Sequence, residues 1–226
     1  MIITIHQPNY LPYLGFFDKM RQADIFVIYD DAQFNKEDFQ HRNKIRIFHG
    51  WKWLTVPVEK KHIPIKEIKI RNELTNKGLK WSDAQFKEII DAYFDTPYYK
   101  DYEKKLEEIY MKRYDKLIDL NLDIISFLMD AFKIKTKLVF SSELGFTSKS
   151  TQRLVDIVES LGGDTYLSGS FGKNYLDVSQ FQDKNIKLEF QDFKHPVYKQ
   201  NYDDFIPNMS SIDALFNIGE IPKNQE

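Results

Sequence analysis

The chain has no cysteine among its 226 residues. Disulfides, thiolate nucleophiles and cysteine-held metals are therefore excluded, and a reducing cytoplasm suits the composition. A bias of charge is also missing: 32 Lys and Arg stand against 34 Asp and Glu, a formal net charge of −2. Such a balance carries no electrostatic footprint for bulk nucleic acid or an anionic membrane. No window reaches the apolar length of a bilayer span. The opening lacks a basic leader with a cleavable apolar core, and Pro8 stops the short run from Ile2 to Ile5. We find no internal repeat, low-complexity stretch or flexible linker. His41, His49 and His62 show none of the helical or finger spacings of metal ligands, so no structural zinc is expected. Together these absences predict a soluble, cytoplasmic protein without membrane insertion and without DNA as a partner.

What is present is apolar. Hydrophobic residues make 42% and aromatics 15% of the chain, enough to bury a sizeable core. Ile2 to Ile5 reads as a strand covered on both faces, as in a parallel sheet. Pro8 and Pro12 stiffen the loop after it, Gly15 to Met20 reads as a helix, and IFVIYDD as a second covered strand, so the first 30 or so residues have the size of a βαβ unit. Between 41 and 70, KIRIF, WKWLTVPV and IKEIKI alternate like short strands around a His49-Gly50 turn, an antiparallel excursion. Trp51 and Trp53 share a face there and are expected to cover the core. Residues 80–133 read as a helical insertion of three helices, the first opened by a Ser82/Gln85 capping box. The third, carrying Leu117, Leu120, Ile124, Ile125, Leu128 and Phe132, is apolar over much of its circumference and is expected to be central. Strands at LVFSS, TYLSG and IKLEF follow, with a helix stripe at Leu154, Ile157, Val158 and Leu161 ended by Gly162-Gly163, and a last helix from Ser211 to Asn217. The predicted fold is one α/β domain over 1–226 with a mostly parallel, Rossmann-like sheet.

Ligands of open α/β sheets sit beyond the carboxyl ends of the strands. The polar groups following the predicted strands are His6, Gln7, Asn9 and Tyr10; Asp30 and Asp31; Ser141, Ser142 and Glu143; and Ser168, Gly169, Ser170, Gly172 and Lys173. In one parallel sheet these sets share a rim, which points to an enzyme. His6 is the first candidate for proton transfer. Adjacent Asp30 and Asp31 would point to opposite faces of a strand, so only one should face the site, and Asp31 is preferred. SGSFGK resembles a phosphate loop loosely, its glycines letting backbone N–H groups approach an anion. Leu167 and Asn174 stand where a P-loop needs glycine and Ser or Thr, which excludes that motif but leaves a sugar-nucleotide pyrophosphate as a ligand. Arg42, in the cluster His41 to Lys44, suits a planar carboxylate or phosphate. Strand, Pro-x-x-Gly, helix is also how HIGH-type nucleotidyltransferases begin, but their second histidine would fall about at Phe16.

At HQPNYLPYLGFFDKM the sequence resembles the WbqC-like family, and the likeness continues through ADIFVIYDDAQF, HRNKIR, WLTVPV, YLSGSFGKNYLD, HPVYKQ and SSIDALFNIG, essentially the whole chain. The resemblance implies a role in bacterial surface-polysaccharide (O-antigen) biosynthesis, with transfer of an acyl or aminoacyl group such as glycyl to the amine of a nucleotide-linked amino sugar. It carries over His6, Gln7, Pro8, Tyr10, Asp31, Arg42, Asn43, Ser168, Gly169, Tyr175, His195 and Gln200. In this reading His6, Asp31 and His195 are catalytic. Gln7, Asn9, Tyr10, Arg42, Asn43, Ser168, Gly169, Gly172, Lys173, Tyr175 and Gln200 bind substrate. No cofactor or metal is expected; the co-substrate is an activated donor, either a carrier-protein thioester, with an acyl-carrier protein as partner, or an aminoacyl-tRNA. The alternatives are a HIGH-like nucleotidyl or adenylyl transferase and a non-catalytic protein that binds sugar intermediates.

Overall fold

The computed structural model describes residues 1–59, 61–74 and 78–222. In chain order the elements begin with β1 (Ile2–His6), α1 (Leu14–Arg21), β2 (Ile25–Ile28), β3 (Arg42–Ile47), β4 (Gly50–Thr55), α2 (Trp81–Tyr93), α3 (Tyr99–Met111) and α4 (Leu117–Ala131). They continue with β5 (Lys137–Phe140), α5 (Ser150–Ser160), β6 (Thr165–Ser168), α6 (Val178–Gln182), β7 (Lys187–Phe190) and α7 (Ser211–Ile218). The fold is mixed α/β, with a five-stranded parallel sheet, a separate two-stranded antiparallel sheet and seven α-helices among the described residues. None of these helices is long and apolar enough to cross a membrane. Contacts divide the chain into two compact units, Met1–Gln7, Gly15–Ala32 and Ile134–Lys194 in the first, and Pro8–Leu14, Gln33–Lys133 and His195–Glu226 in the second.

The first unit holds the parallel sheet, in the order β5-β2-β1-β6-β7. β1 is flanked on both sides, which is why IITIH needs no polar alternation: Ile3 pairs with Ile25 on one side and with Tyr166 on the other. Ile3, Ile5, Ile25 and Val27 pack with Leu154, Val155, Ile157 and Val158 of α5 and with Phe181 of α6, whose ring stacks on Tyr166 at 5.2 Å. The glycine pair after α5 does two jobs. Gly162 takes a left-handed φ of 71°, and Gly163 lets β1 approach, since a Cβ there would lie 2.6 Å from the Ile3 side chain.

The second unit packs α2, α3, α4 and α7 with the β3–β4 hairpin. α4 is buried at Leu117, Leu120, Ile124, Ile125 and Leu128, the central helix that its sequence predicts. Its buried Asn121 donates to the carbonyls of Pro8 (3.0 Å) and Gln40 (2.8 Å), so a polar group in an apolar helix is spent on holding two loops.

Three expectations are corrected here, and one element is added. IKEIKI is no strand: Ile65–Glu67 forms a single 3₁₀ turn, and pairing is confined to isolated bridges such as Val58 with Ile70. Ser82 caps nothing, because α2 starts one residue earlier at Trp81; Gln85 instead donates to the Thr55 carbonyl at 2.7 Å. α6 was not foreseen; it is one turn long, and its signal is the Asp177 cap accepting from the Ser179 amide. Trp51 and Trp53 do not cover the core. They lie on the outer face of the hairpin, and Trp51 is 43% exposed.

Candidate active site

Within the first unit the chain runs β1 to β2 to β5 on one side of the sheet, then crosses back to β6 and β7 on the other. The direction of winding reverses between β1 and β6, and that is the switch point at whose carboxyl edge open α/β sheets place ligands. His6 ends β1, and Ser168 ends β6. Gln7, Asp31, Ser141 and Ser142 follow strands of the same parallel sheet, whereas Asn9 and Tyr10 of the first expected set belong to the second unit.

His6 is held firmly. Its Nδ1, the protonated ring nitrogen in this geometry, donates to the Gln7 carbonyl at 2.8 Å. Its ring meets Phe16 edge-on at 4.9 Å and lies parallel to Phe26 at 6.4 Å. Phe16, at the position of the second HIGH-type histidine, is a fully buried packing residue. Burial, and then the nearby Lys19 ammonium, lower the His6 pKa to about 3, against the opposing pull of the Gln7 carbonyl. His6 is thus a neutral imidazole at working pH, with Nε2 an acceptor.

Lys19 was missed by sequence reasoning. It sits on α1, is 3% exposed, and donates to the Ile5 carbonyl at 3.1 Å. Burial lowers its pKa to about 7. A lysine three residues from Phe16 on an otherwise apolar helix face was the available signal, but it reads equally as a surface cation. Gln191 was missed too. It ties β7 to α1 by donating to the Gly15 carbonyl (2.9 Å) and to Asp18 Oδ2 (2.6 Å).

The aspartates depart from expectation. β2 ends at Ile28, so Asp30 and Asp31 lie past the pleat and do not point to opposite faces. Ser141 Oγ lies 3.0 Å from Asp30 Oδ1 and 2.5 Å from Asp31 Oδ1, and its single proton can serve one of them at a time. Asp30 also accepts from the amide (3.0 Å) and hydroxyl (2.7 Å) of Ser142, and Asp31 pairs with the buried guanidinium of Arg153. The cluster ties the β2 and β5 ends to α5.

Around the end of β6, Ser168 is buried and its hydroxyl donates to the Gly169 carbonyl at 3.1 Å. The segment Ser170–Asn174 is a 3₁₀ turn. Gly172 is tightly packed: a Cβ would lie 2.1 Å from Ser168 Oγ, and its amide donates to the Gly169 carbonyl at 2.9 Å. Gly169 has open space where a side chain would be. The Lys173 ammonium lies 5.5 Å from the Phe190 ring centre, and Tyr175 is exposed.

The remaining candidates belong to the second unit and mostly brace it. Asn9 is buried. Tyr10 is fully buried, with its hydroxyl 2.7 Å from Gln85 Oε1 and 2.5 Å from the Tyr110 hydroxyl; burial holds its pKa far above the usual tyrosine range. Asn43 donates to the Leu11 carbonyl at 2.7 Å, which fixes the proline loop where Leu11 takes a φ of 44°. Arg42 donates to the Glu37 carbonyl at 2.6 Å and lies over the Trp53 ring. Gln200 clips a loop by exchanging bonds with Ile206, and donates to Asp213 Oδ2 at 2.8 Å. Asp213 also accepts from Tyr198 and Tyr93, and burial raises its pKa despite these donors. His195 Nδ1 lies 2.9 Å from the Pro196 carbonyl, its ring is packed by Tyr198 and Phe205, and burial lowers its pKa. Two clefts also lie in this unit, one of about 570 Å³ between Lys69–Glu73 and Arg113–Lys116 and one of about 580 Å³ along Val197–Asp203. Neither involves the switch point.

Comparison with known proteins returns the WbqC-like protein family, whose model matches residues 7–224. An uncharacterized protein of Mycobacterium tuberculosis, Rv1507c, is 30% identical over 222 residues, which are 96% of this chain and 94% of that one. No solved structure matches.

Proposed function

Because this chain belongs to the WbqC-like protein family, we propose that it is a transferase of bacterial surface-polysaccharide biosynthesis, acting on the amine of a nucleotide-linked amino sugar. The donor is an activated acyl or aminoacyl group, on a carrier-protein thioester or a tRNA. The observation that supports this reading is the switch point of the parallel sheet, flanked by a neutral His6 and by the open Gly169 position.

In the reaction the neutral amine attacks the donor carbonyl carbon, the tetrahedral oxyanion collapses, and the thiol or ribose hydroxyl leaves with the proton that the amine has lost. A base whose conjugate acid has a pKa near 3 stores a proton poorly. His6 therefore acts in this proposal by accepting a hydrogen bond at Nε2, which aims the amine lone pair. Lys19, poised near neutrality behind it, sets the local charge. Asp31 keeps the rim in place through Arg153.

The test is a thermal-shift screen against nucleotide sugars with and without a 4-amino group, followed by transfer assays on His6→Ala. A stabilising shift specific to the amino sugar is expected, together with loss of transfer in a variant that melts like the parent. Equal shifts with the hydroxyl analogue, or an unchanged rate in His6→Ala, would overturn the proposal.

A further inference from the structure

Where β1 and β6 part, at the switch point of the first unit, two hydrogen-bond donors are left underused. The two strands pair from Ile2↔Thr165 to Thr4↔Leu167 and no further. Successive carbonyls of a strand face opposite neighbours. The His6 carbonyl accepts from the Tyr29 amide at 2.8 Å, on the β2 side, so the Ile5 carbonyl faces β6. Continued pairing would give it the Gly169 amide, one residue past the end of β6. Instead it accepts from Lys19 Nζ at 3.1 Å, and the Gly169 amide has no acceptor among the described residues.

Lys19 is the second donor. An ammonium carries three N–H bonds. This one is 3% exposed, and the Ile5 carbonyl is its one acceptor among the described residues. No carboxylate there pairs with it; its neighbour Asp18 accepts from Gln22 and Gln191 instead. Buried charges are ordinarily paired, because an unpaired one costs its full desolvation. Burial holds the Lys19 pKa at about 7, so the charged form persists near neutrality and gains from any anion that arrives.

The donors define the missing group. A lone ammonium is a compact point charge that suits phosphate, whereas a carboxylate is matched best by the fork of an arginine. A main-chain amide beside it adds a directed donor, as in other phosphate cradles. Nothing lies within 4 Å of where a Cβ at Gly169 would stand, which leaves room for a ligand oxygen. We propose that the parted ends of β1 and β6 seat a phosphate group, with Lys19 Nζ and the Gly169 amide as its donors. The proposal rests on the transferase reading for the molecule that brings the phosphate, a nucleotide-linked sugar. Lys19 and Gly169 donate while His6 Nε2 accepts, so the phosphate and the amine of one ligand are received by different groups.

The experiment is calorimetric titration of the full chain with inorganic pyrophosphate, and separately with acetate, for the parent, Lys19→Met and Gly169→Pro. Lys19→Met keeps an unbranched buried stem and removes the charge. Gly169→Pro deletes the amide proton alone, since Gly169 already has the φ of proline, −66°, and follows a strand residue. Saturable pyrophosphate binding is expected in the parent, weakened about tenfold or more in Lys19→Met and about fivefold in Gly169→Pro, with no binding of acetate. Melting curves of both variants verify the fold, and Gly169→Pro keeps the test decisive should Lys19→Met melt early. Absence of pyrophosphate binding, equal binding of acetate, or parent affinity in a folded variant would overturn the proposal. A nucleotide sugar that binds through Lys19 equally with and without its 4-amino group would sink the transferase reading and support the phosphate seat.

Discussion

A histidine that cannot easily be charged leaves a signature in stability. The His6 ring has a pKa near 6.5 in the unfolded chain and about 3 in the folded one. Between these values the unfolded state binds a proton that the native state does not, so stability falls as pH drops from about 6.5 toward 3. At full effect a shift of this size corresponds to roughly 5 kcal/mol, and the partial exposure of the ring makes the measured loss smaller. Urea unfolding of the parent and of His6→Gln at about pH 7 and about pH 4 should show the parent losing more stability than the variant. Parallel losses would mean that the ring is not desolvated as described. Lys19 contributes to the same shift, so Lys19→Met should move the NMR titration of the His6 ring upward toward 6.5. None of this was readable from the sequence. His6 was identified by its place after a covered strand, which is a matter of pattern, but its neutrality depends on Phe16, Phe26 and Lys19, which only the folded chain brings to it.

The turn after β6 illustrates what sequence could and could not locate among the elements. SGSFGK is legible as a special loop from its glycines, but packing and anion approach demand the same residue, so the pattern alone does not separate them. With Ser168 Oγ only 2.1 Å from a Cβ at Gly172, and the Leu176 side chain at 3.0 Å, Gly172→Ala should cost about 1–3 kcal/mol of stability. Adding Ser168→Ala should recover part of that loss, a non-additivity that chemical denaturation of the two single variants and the double variant measures. Simple additivity would count against the clash. The parallel strands were legible because Ile2–His6 and Ile25–Ile28 are covered on both faces and need no alternation. Ile65–Glu67 deceived because a 3₁₀ turn with isolated bridges also alternates buried and open positions. The tryptophans of β4 were misplaced for a related reason: alternation places Trp51 and Trp53 on one face, but which face is inward depends on Asn43, Ile45 and Leu54 being held by the rest of the unit.

On the scale of the whole molecule, the opening motif serves two units at once. His6 and Gln7 belong to the sheet unit, while Pro8–Leu14 is built into the other, where Asn43 and Asn121 hold its carbonyls. The same interleaving recurs along the chain, each unit being assembled from three separate segments. Linear inspection saw the β excursion and the helices as insertions in one domain, because no linker or change of composition marks the passages at Gln7, Leu14, Ala32, Lys133 or Lys194. A consequence can be measured. A fragment ending at Lys133 holds β1 and β2 but lacks β5, β6 and β7, and so leaves both edges of a two-stranded parallel pair open, which is too little to be stable alone. The same fragment lacks α7, whose buried Asp213 binds Tyr93, Tyr198 and Gln200. Expressed alone, residues 1–133 should therefore show no cooperative thermal transition, and neither should residues 134–226. Mixed or co-expressed, the two should form a complex that melts cooperatively, since every strand of the sheet is then supplied. A cooperative transition in either fragment alone would mean that one unit is complete without the far segments, and would contradict the discontinuous assembly described here.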